Sequence, residues 1–119
     1  MADESFRLIV RQSIKPGMLE QFKKLAAEYT AAVEANEPTT LGYEWFITGD
    51  GSACYLNEFY GSSEAFLLHF ENLGPKLGAM LELSPLEEMI VLGEPSQPVK
   101  EMLGGLGATF CAPHVGFAR

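Results

Sequence analysis

The chain has 119 residues, 47% of them hydrophobic, and a formal net charge of −8. That length fits one domain with its own core, and that apolar content excludes a disordered chain. The excess of carboxylates repels phosphate backbones and anionic lipid surfaces, and no Lys- or Arg-rich run relieves it, so neither nucleic acid nor membrane is an expected partner.

The opening residues, MADESFRLIV, carry no basic stretch followed by a long apolar run, so no signal peptide is read there. Cys54 and Cys111 are isolated from each other and from any histidine cluster. Both read as reduced thiols, and a cytoplasmic location is expected.

Residues 6–14 alternate, with Phe6, Leu8, Val10, Gln12 and Ile14 on one parity, which predicts a first strand. Lys15-Pro16-Gly17 ends it. A helix is predicted over 18–36, its apolar stripe made by Met18, Phe22, Leu25, Ala26, Tyr29 and Val33. Asn36-Glu37-Pro38 closes that helix. Two aromatic-rich runs then flank Gly49-Asp50-Gly51-Ser52, a β-hairpin signal over 41–60. In the first run Leu41, Tyr43, Trp45 and Ile47 share a parity. In the second, Tyr55, Asn57 and Phe59 alternate with Leu56, Glu58 and Tyr60.

Ser62 or Ser63 caps a second helix running to Leu73, where Phe66, His69, Phe70 and Leu73 fall on one stripe. Gly74-Pro75 breaks it. A short helical stretch is predicted over 76–83 and a fourth strand over 86–92. In the tail, Ser96-Gln97-Pro98 opens a short helix through Leu103, and either 109–112 or 115–118 forms one more extended piece. Strand, helix, strand, strand, helix, strand is the α+β, ferredoxin-like split βαβ order. The expected sheet is four-stranded and antiparallel, with both helices on one face. Residues 1–93 form this domain, and 94–119 are a C-terminal extension packing on the domain or on a dimer partner. Large apolar groups on both faces of the hairpin call for a second cover, most economically the sheet of another copy.

Several segments together resemble the antibiotic biosynthesis monooxygenase-like family of the dimeric α+β barrel superfamily. They are Lys15-Pro16-Gly17 with the helix bearing Phe22, then PTTLGYEW from Pro38 to Trp45, then Asn57-Glu58-Phe59-Tyr60 leading into Ser63-Glu64-Ala65-Phe66 and His69. The resemblance covers roughly residues 6–92. It implies a homodimer with two sheets packed face to face, and one ligand pocket per subunit between sheet and helices. It also implies varied activities: cofactor-independent oxygenation of aromatic polyketides or quinols, haem degradation, and isomerisation of a small sugar derivative. Haem-degrading members resemble one another in an Asn near the end of the first strand, a Trp in the second helix and a His further along it. This chain offers Val10 and His69 at the first two positions and no further histidine before His114. That departure argues against haem, and no metal, flavin or haem is expected.

His69 on the apolar stripe is either a general base or a hydrogen-bonded structural histidine. Asn57 is expected on the face of Tyr43 and Trp45, where its amide either orients a substrate oxygen or bonds His69 or the backbone. Tyr43, Trp45, Tyr55 and Phe66 are candidate pocket walls for a planar aromatic ligand, or plain core. Arg11, Glu44 and Glu58 are expected on the opposite face, with Arg11 and Glu58 as an interfacial ion pair. No phosphate-binding loop, metal-ligand set or Gly-x-Ser-x-Gly elbow is present. The expected function is a cofactor-independent monooxygenase that oxidises a small phenol- or quinol-like molecule with oxygen, with His69 and Asn57 as its catalytic residues. The alternatives are a non-catalytic ligand-binding or structural dimer, and an isomerase of the same fold.

Overall fold

The computed structural model describes residues 5–119. The first four residues, which the sequence reading assigned to the domain and to the signal-peptide test, lie outside the described residues. The elements in chain order are β1 (Phe6–Ser13), α1 (Leu19–Asn36), β2 (Thr40–Ile47), β3 (Ala53–Tyr60), α2 (Ser63–Leu73), a single 3₁₀ turn, α3 (Leu77–Leu83), β4 (Leu86–Gly93), α4 (Gln97–Gly105) and β5 (Thr109–Cys111). The α+β order read from the sequence is the one adopted.

One sheet carries the strands in the order β2-β3-β1-β4-β5. The first four pair antiparallel, as expected, while β5 joins parallel to β4. The sheet is therefore mixed and five-stranded rather than purely antiparallel and four-stranded. A three-residue strand between Ala108 and Ala112 carries too little periodicity to reveal its partner.

Alternation along β1 decides which face is covered. Phe6, Leu8 and Val10 are buried, together with Gln12, whose amide donates to the Ser84 carbonyl at 2.9 Å. Helix α1 lays Phe22, Ala26, Tyr29 and Val33 on this face, and α2 adds Ala65, Phe66 and Leu73. Helix α4, in the extension, contributes Val99 and Leu103 to the same core and is tied to α2 where the Ser96 N–H donates to Ser63 Oγ at 2.8 Å. Burying a side chain of the size of Phe6 or Phe22 contributes roughly 1.5–3 kcal/mol each. Gly93 ends β4 at φ +136°, where a Cβ would lie 2.7 Å from the Phe6 side chain, so only glycine fits there.

The core has two clusters. Tyr43 and Trp45 pack against both of them. Among the described residues, no helix is long and apolar enough to cross a membrane.

Candidate active site

Three local decisions assemble the site. Pro38 cannot continue a helix, so α1 stops and leaves Glu37 as its C-terminal cap, with its N–H on the Val33 carbonyl at 2.9 Å. The Glu37 side chain turns into the protein and is buried. A carboxylate at the negative end of a helix is ordinarily unfavourable. Here three donors offset that cost: Thr40 Oγ1 at 2.8 Å, His69 Nδ1 at 2.9 Å and Asn72 Nδ2 at 2.7 Å.

The second decision is the start of α2. Ser62 Oγ accepts from the Ala65 N–H at 3.1 Å, fixing the phase of the helix. His69 and Asn72, three residues apart, then reach Glu37 together. The His69 ring lies 5.5 Å from the Tyr43 ring and 5.4 Å from the Tyr60 ring, centre to centre. With Nδ1 donating to Glu37, Nε2 is left as the basic nitrogen.

The third decision is the hairpin. Its loop holds four residues, and the Thr48 N–H bonds the Ala53 carbonyl at 2.9 Å. Asp50 organises the turn by accepting from Thr48 Oγ1, Ser52 N and Ser52 Oγ, bonds that hold its carboxyl down at about 2. An even loop pairs residues of opposite parity, so Trp45 faces Leu56 and Tyr43 faces Glu58 across the ladder. Glu58 is thereby buried under the helices.

Burial pushes the Glu58 carboxyl above the ordinary carboxylate range. The His69 charge and the Tyr60 hydroxyl, which donates to Oε1, work against this, and the Glu37 charge adds to it. His69 Nε2 lies 3.4 Å from Glu58 Oε1. Burial, reinforced by the nearby Glu58 charge, raises the Tyr43 and Tyr60 phenols, so both remain neutral donors at physiological pH.

Beside this chain of groups lies a cavity of about 130 Å³, walled by Tyr43, Trp45, Leu56, Glu58, Phe66 and His69 and extended towards α4 by Leu103 and Leu106. The indole N–H of Trp45 is buried without an acceptor. Among the described residues, no group of three or more His, Cys, Asp or Glu is arranged to hold a metal ion. Glu37 and Glu58 instead address different nitrogens of one imidazole. The arrangement can take a proton at Nε2, stabilise the resulting imidazolium from Glu37, and hold a second proton on Glu58.

The structure brings His69, Tyr43, Trp45 and Phe66 around one cavity. It separates Asn57 and Tyr55 from them. Asn57 lies opposite Glu44 and Ile9, and Tyr55 opposite Phe46 and Arg11, all on the other face of the sheet. The expectation that Asn57 and Tyr55 share the face of Trp45 is therefore corrected, and so is the Arg11–Glu58 pair. Arg11 meets Glu88 at 3.7 Å on the open face, while Glu58 lies across from Leu8. Glu37, Glu58, Tyr60 and Asn72 were missed as site residues. The four-residue loop was the available signal for Glu58 and Tyr60. Glu37 read only as part of a helix stop.

The sequence model for antibiotic biosynthesis monooxygenase matches residues 5–74, more than half of the chain. The chain belongs to the antibiotic biosynthesis monooxygenase family. The matched segment contains Glu37, Tyr43, Glu58, His69 and Asn72, whereas α4 with its Leu103, and Leu106 after it, lie beyond it. No curated protein matches the sequence. Among solved structures, MupZ from Pseudomonas fluorescens is similar over 98% of this chain and 96% of its own, with TM-score 0.87 at 19% identity. Rv0793 from Mycobacterium tuberculosis is similar over 78% and 97%, with TM-score 0.66 at 21% identity. A conserved protein from Methanosarcina mazei is similar over 73% and 89%, with TM-score 0.64 at 13% identity. At these identities the likeness concerns the fold.

Proposed function

We propose that this family member is a cofactor-independent monooxygenase acting on a small, largely apolar aromatic molecule of phenol or quinol type. The observation that carries the reading is a buried imidazole held by a carboxylate at 2.9 Å, its other nitrogen beside Glu58 in an aromatic-walled cavity. His69 Nε2 removes a proton from an activated ring methylene or phenol. Glu37 stabilises the imidazolium, as an orienting carboxylate does for a catalytic histidine. The substrate anion then gives electrons to molecular oxygen, forming a carbon–oxygen bond and a peroxide. Protonation of the peroxide from His69 or Glu58 and loss of water leave a carbonyl, so one methylene and one O₂ become one carbonyl and one H₂O. The electrons come from the substrate, which is why this chemistry calls on no metal, flavin or haem. The apolar walls exclude water from the anion.

The working unit in this reading is a homodimer joined through the open sheet face, where Phe46 is 54%, Tyr55 46% and Leu92 42% exposed. A cytoplasmic setting accords with the two free cysteines.

The test is oxygen uptake over a panel of phenols, hydroquinones and ring-methylene ketones, with ¹⁸O₂ tracing. One labelled atom in the product and one in water is expected. Turnover that proceeds unchanged without oxygen would sink the oxygenase reading. Glu58 favours a second reading, a proton-transfer isomerase, because a carboxyl whose hold on a proton is strengthened by burial, 3.4 Å from Nε2, is placed to pass one to a second substrate atom. Anaerobic incorporation of solvent deuterium into recovered substrate identifies that case.

A further inference from the structure

We infer that residues 113–119 are an exchanged arm that packs on a second copy of this chain, an inference that rests on the homodimer reading above. Strand β5 is the sheet edge beyond β4, with Cys111 opposite Leu92, so the chain leaves the domain at the rim of the open face. From there every residue is exposed. Val115 is 88% and Phe117 82% exposed, and the Arg119 guanidinium lies 4.9 Å from the centre of the Phe117 ring. Among the described residues, no hydrogen bond ties 113–119 to the rest of the chain. Two large apolar side chains on a segment without hydrogen bonds to the rest of the chain have no reason to hold a path within a single copy.

The likeness to MupZ covers 98% of this chain, so it runs into the arm, although identity is 19%. The likenesses to Rv0793 and the Methanosarcina mazei protein cover 78% and 73%. Val115 and Phe117, so exposed on one copy, are accounted for by a surface that a second copy supplies.

A second copy fits on three counts. The arm starts beside the exposed apolar residues proposed to meet the partner's sheet. Seven extended residues reach roughly 25 Å, while packed sheets lie only about 10 Å apart. The arm's side chains include the Arg119 cation and no carboxylate, whereas the chain as a whole has a net charge of −8. The charges are therefore complementary between arm and body.

The decisive experiment compares wild type, a deletion of 113–119, Phe117→Asp and Val115→Asp by sedimentation equilibrium, with circular dichroism to verify the fold. A mixed-label experiment accompanies it. A nitroxide on Ala118→Cys, in a Cys111→Ser background, is carried by an unlabelled copy mixed with ¹⁵N-labelled wild type. The expected result is a dimer whose dissociation constant rises at least about tenfold in each arm variant with the fold intact, and nitroxide broadening in the ¹⁵N-labelled copy. A dimer of unchanged affinity, or broadening absent from the labelled copy, overturns the exchanged arm and leaves the homodimer standing. A wild type that stays monomeric at all concentrations overturns both.

Discussion

The two faces of the sheet are built from alternate residues of the same strands, yet they do opposite things. On the covered face the polar groups are few, and apart from the Trp45 indole N–H they are individually held: Gln12 on the Ser84 carbonyl, Glu58 on Tyr60 and His69. On the open face charges lie among aromatics with loose partners, such as Arg7 stacked 4.1 Å over Phe59 and Arg11 at 3.7 Å from exposed Glu88. Asn57 and Glu58 are adjacent in sequence and land in these two settings. Glu58 is closed off beneath the helices, while Asn57 is half-buried on the other face. A carboxyl deprived of water changes its proton affinity, whereas one in water does not.

The sharpest way to break the contrast is at the base. His69→Ala should lower turnover by about 10²–10⁴-fold, far more than it lowers thermal stability. Steady-state oxygen uptake and a thermal melt read the two effects, and parallel loss of both would make His69 structural. Next comes packing. Phe6→Ala on the covered face should cost about 3–5 kcal/mol in urea unfolding. Phe46→Ala on the open face should cost within about 0.5 kcal/mol for the folded monomer and instead weaken association. Equal costs would erase the difference between the faces.

Glu37→Gln keeps the shape and removes the charge from the Nδ1 side. A charge-assisted bond of about 1.5–3 kcal/mol predicts a drop in kcat of roughly 10–100-fold, with a shifted pH profile, and an unchanged profile would speak against an orienting role. A smaller effect is expected from Glu58. Its folded carboxyl titrates above its unfolded value because of burial, with His69, Tyr60, Tyr43 and Glu37 around it. Below about pH 4.3 both folded and unfolded chains hold the proton, and the stability is complete. As pH rises, the unfolded chain releases its proton first, so stability falls until the folded carboxyl also ionises. Glu58→Gln should flatten that decline, measured as unfolding free energy against pH. A decline equally steep in the variant would place its source elsewhere. Smallest of all, Asn57→Ala should change turnover less than about twofold, because its side chain is on the far face. A large kinetic loss there would mean that the open face takes part in the chemistry.

The helices and the four antiparallel strands were legible because burial periodicity repeats many times along each. Phe22, Ala26, Tyr29 and Val33 on α1, and Phe66 and Leu73 on α2, are buried as their spacing predicts. The placement of His69 toward the sheet followed from the same stripe. The partners of His69 did not follow. Glu58 and Asn57 differ by one position, and a single unit of register exchanges their faces. Leu41 shows the same sensitivity, since a bulge between Thr40 and Gly42 takes it out of the pattern that Tyr43 and Trp45 obey.

By itself the sequence determined what short-range periodicity and turn chemistry can encode: the order of elements, the apolar stripe of each, and a histidine set among core residues. Only the tertiary structure decided which carboxylates meet that histidine. Glu37 is 32 positions from it in sequence, and that contact exists once helix cap, hairpin register and helix phase are all in place. Long-range pairings of this kind leave no local pattern, because each depends on the relative placement of separate elements rather than on the residues between them.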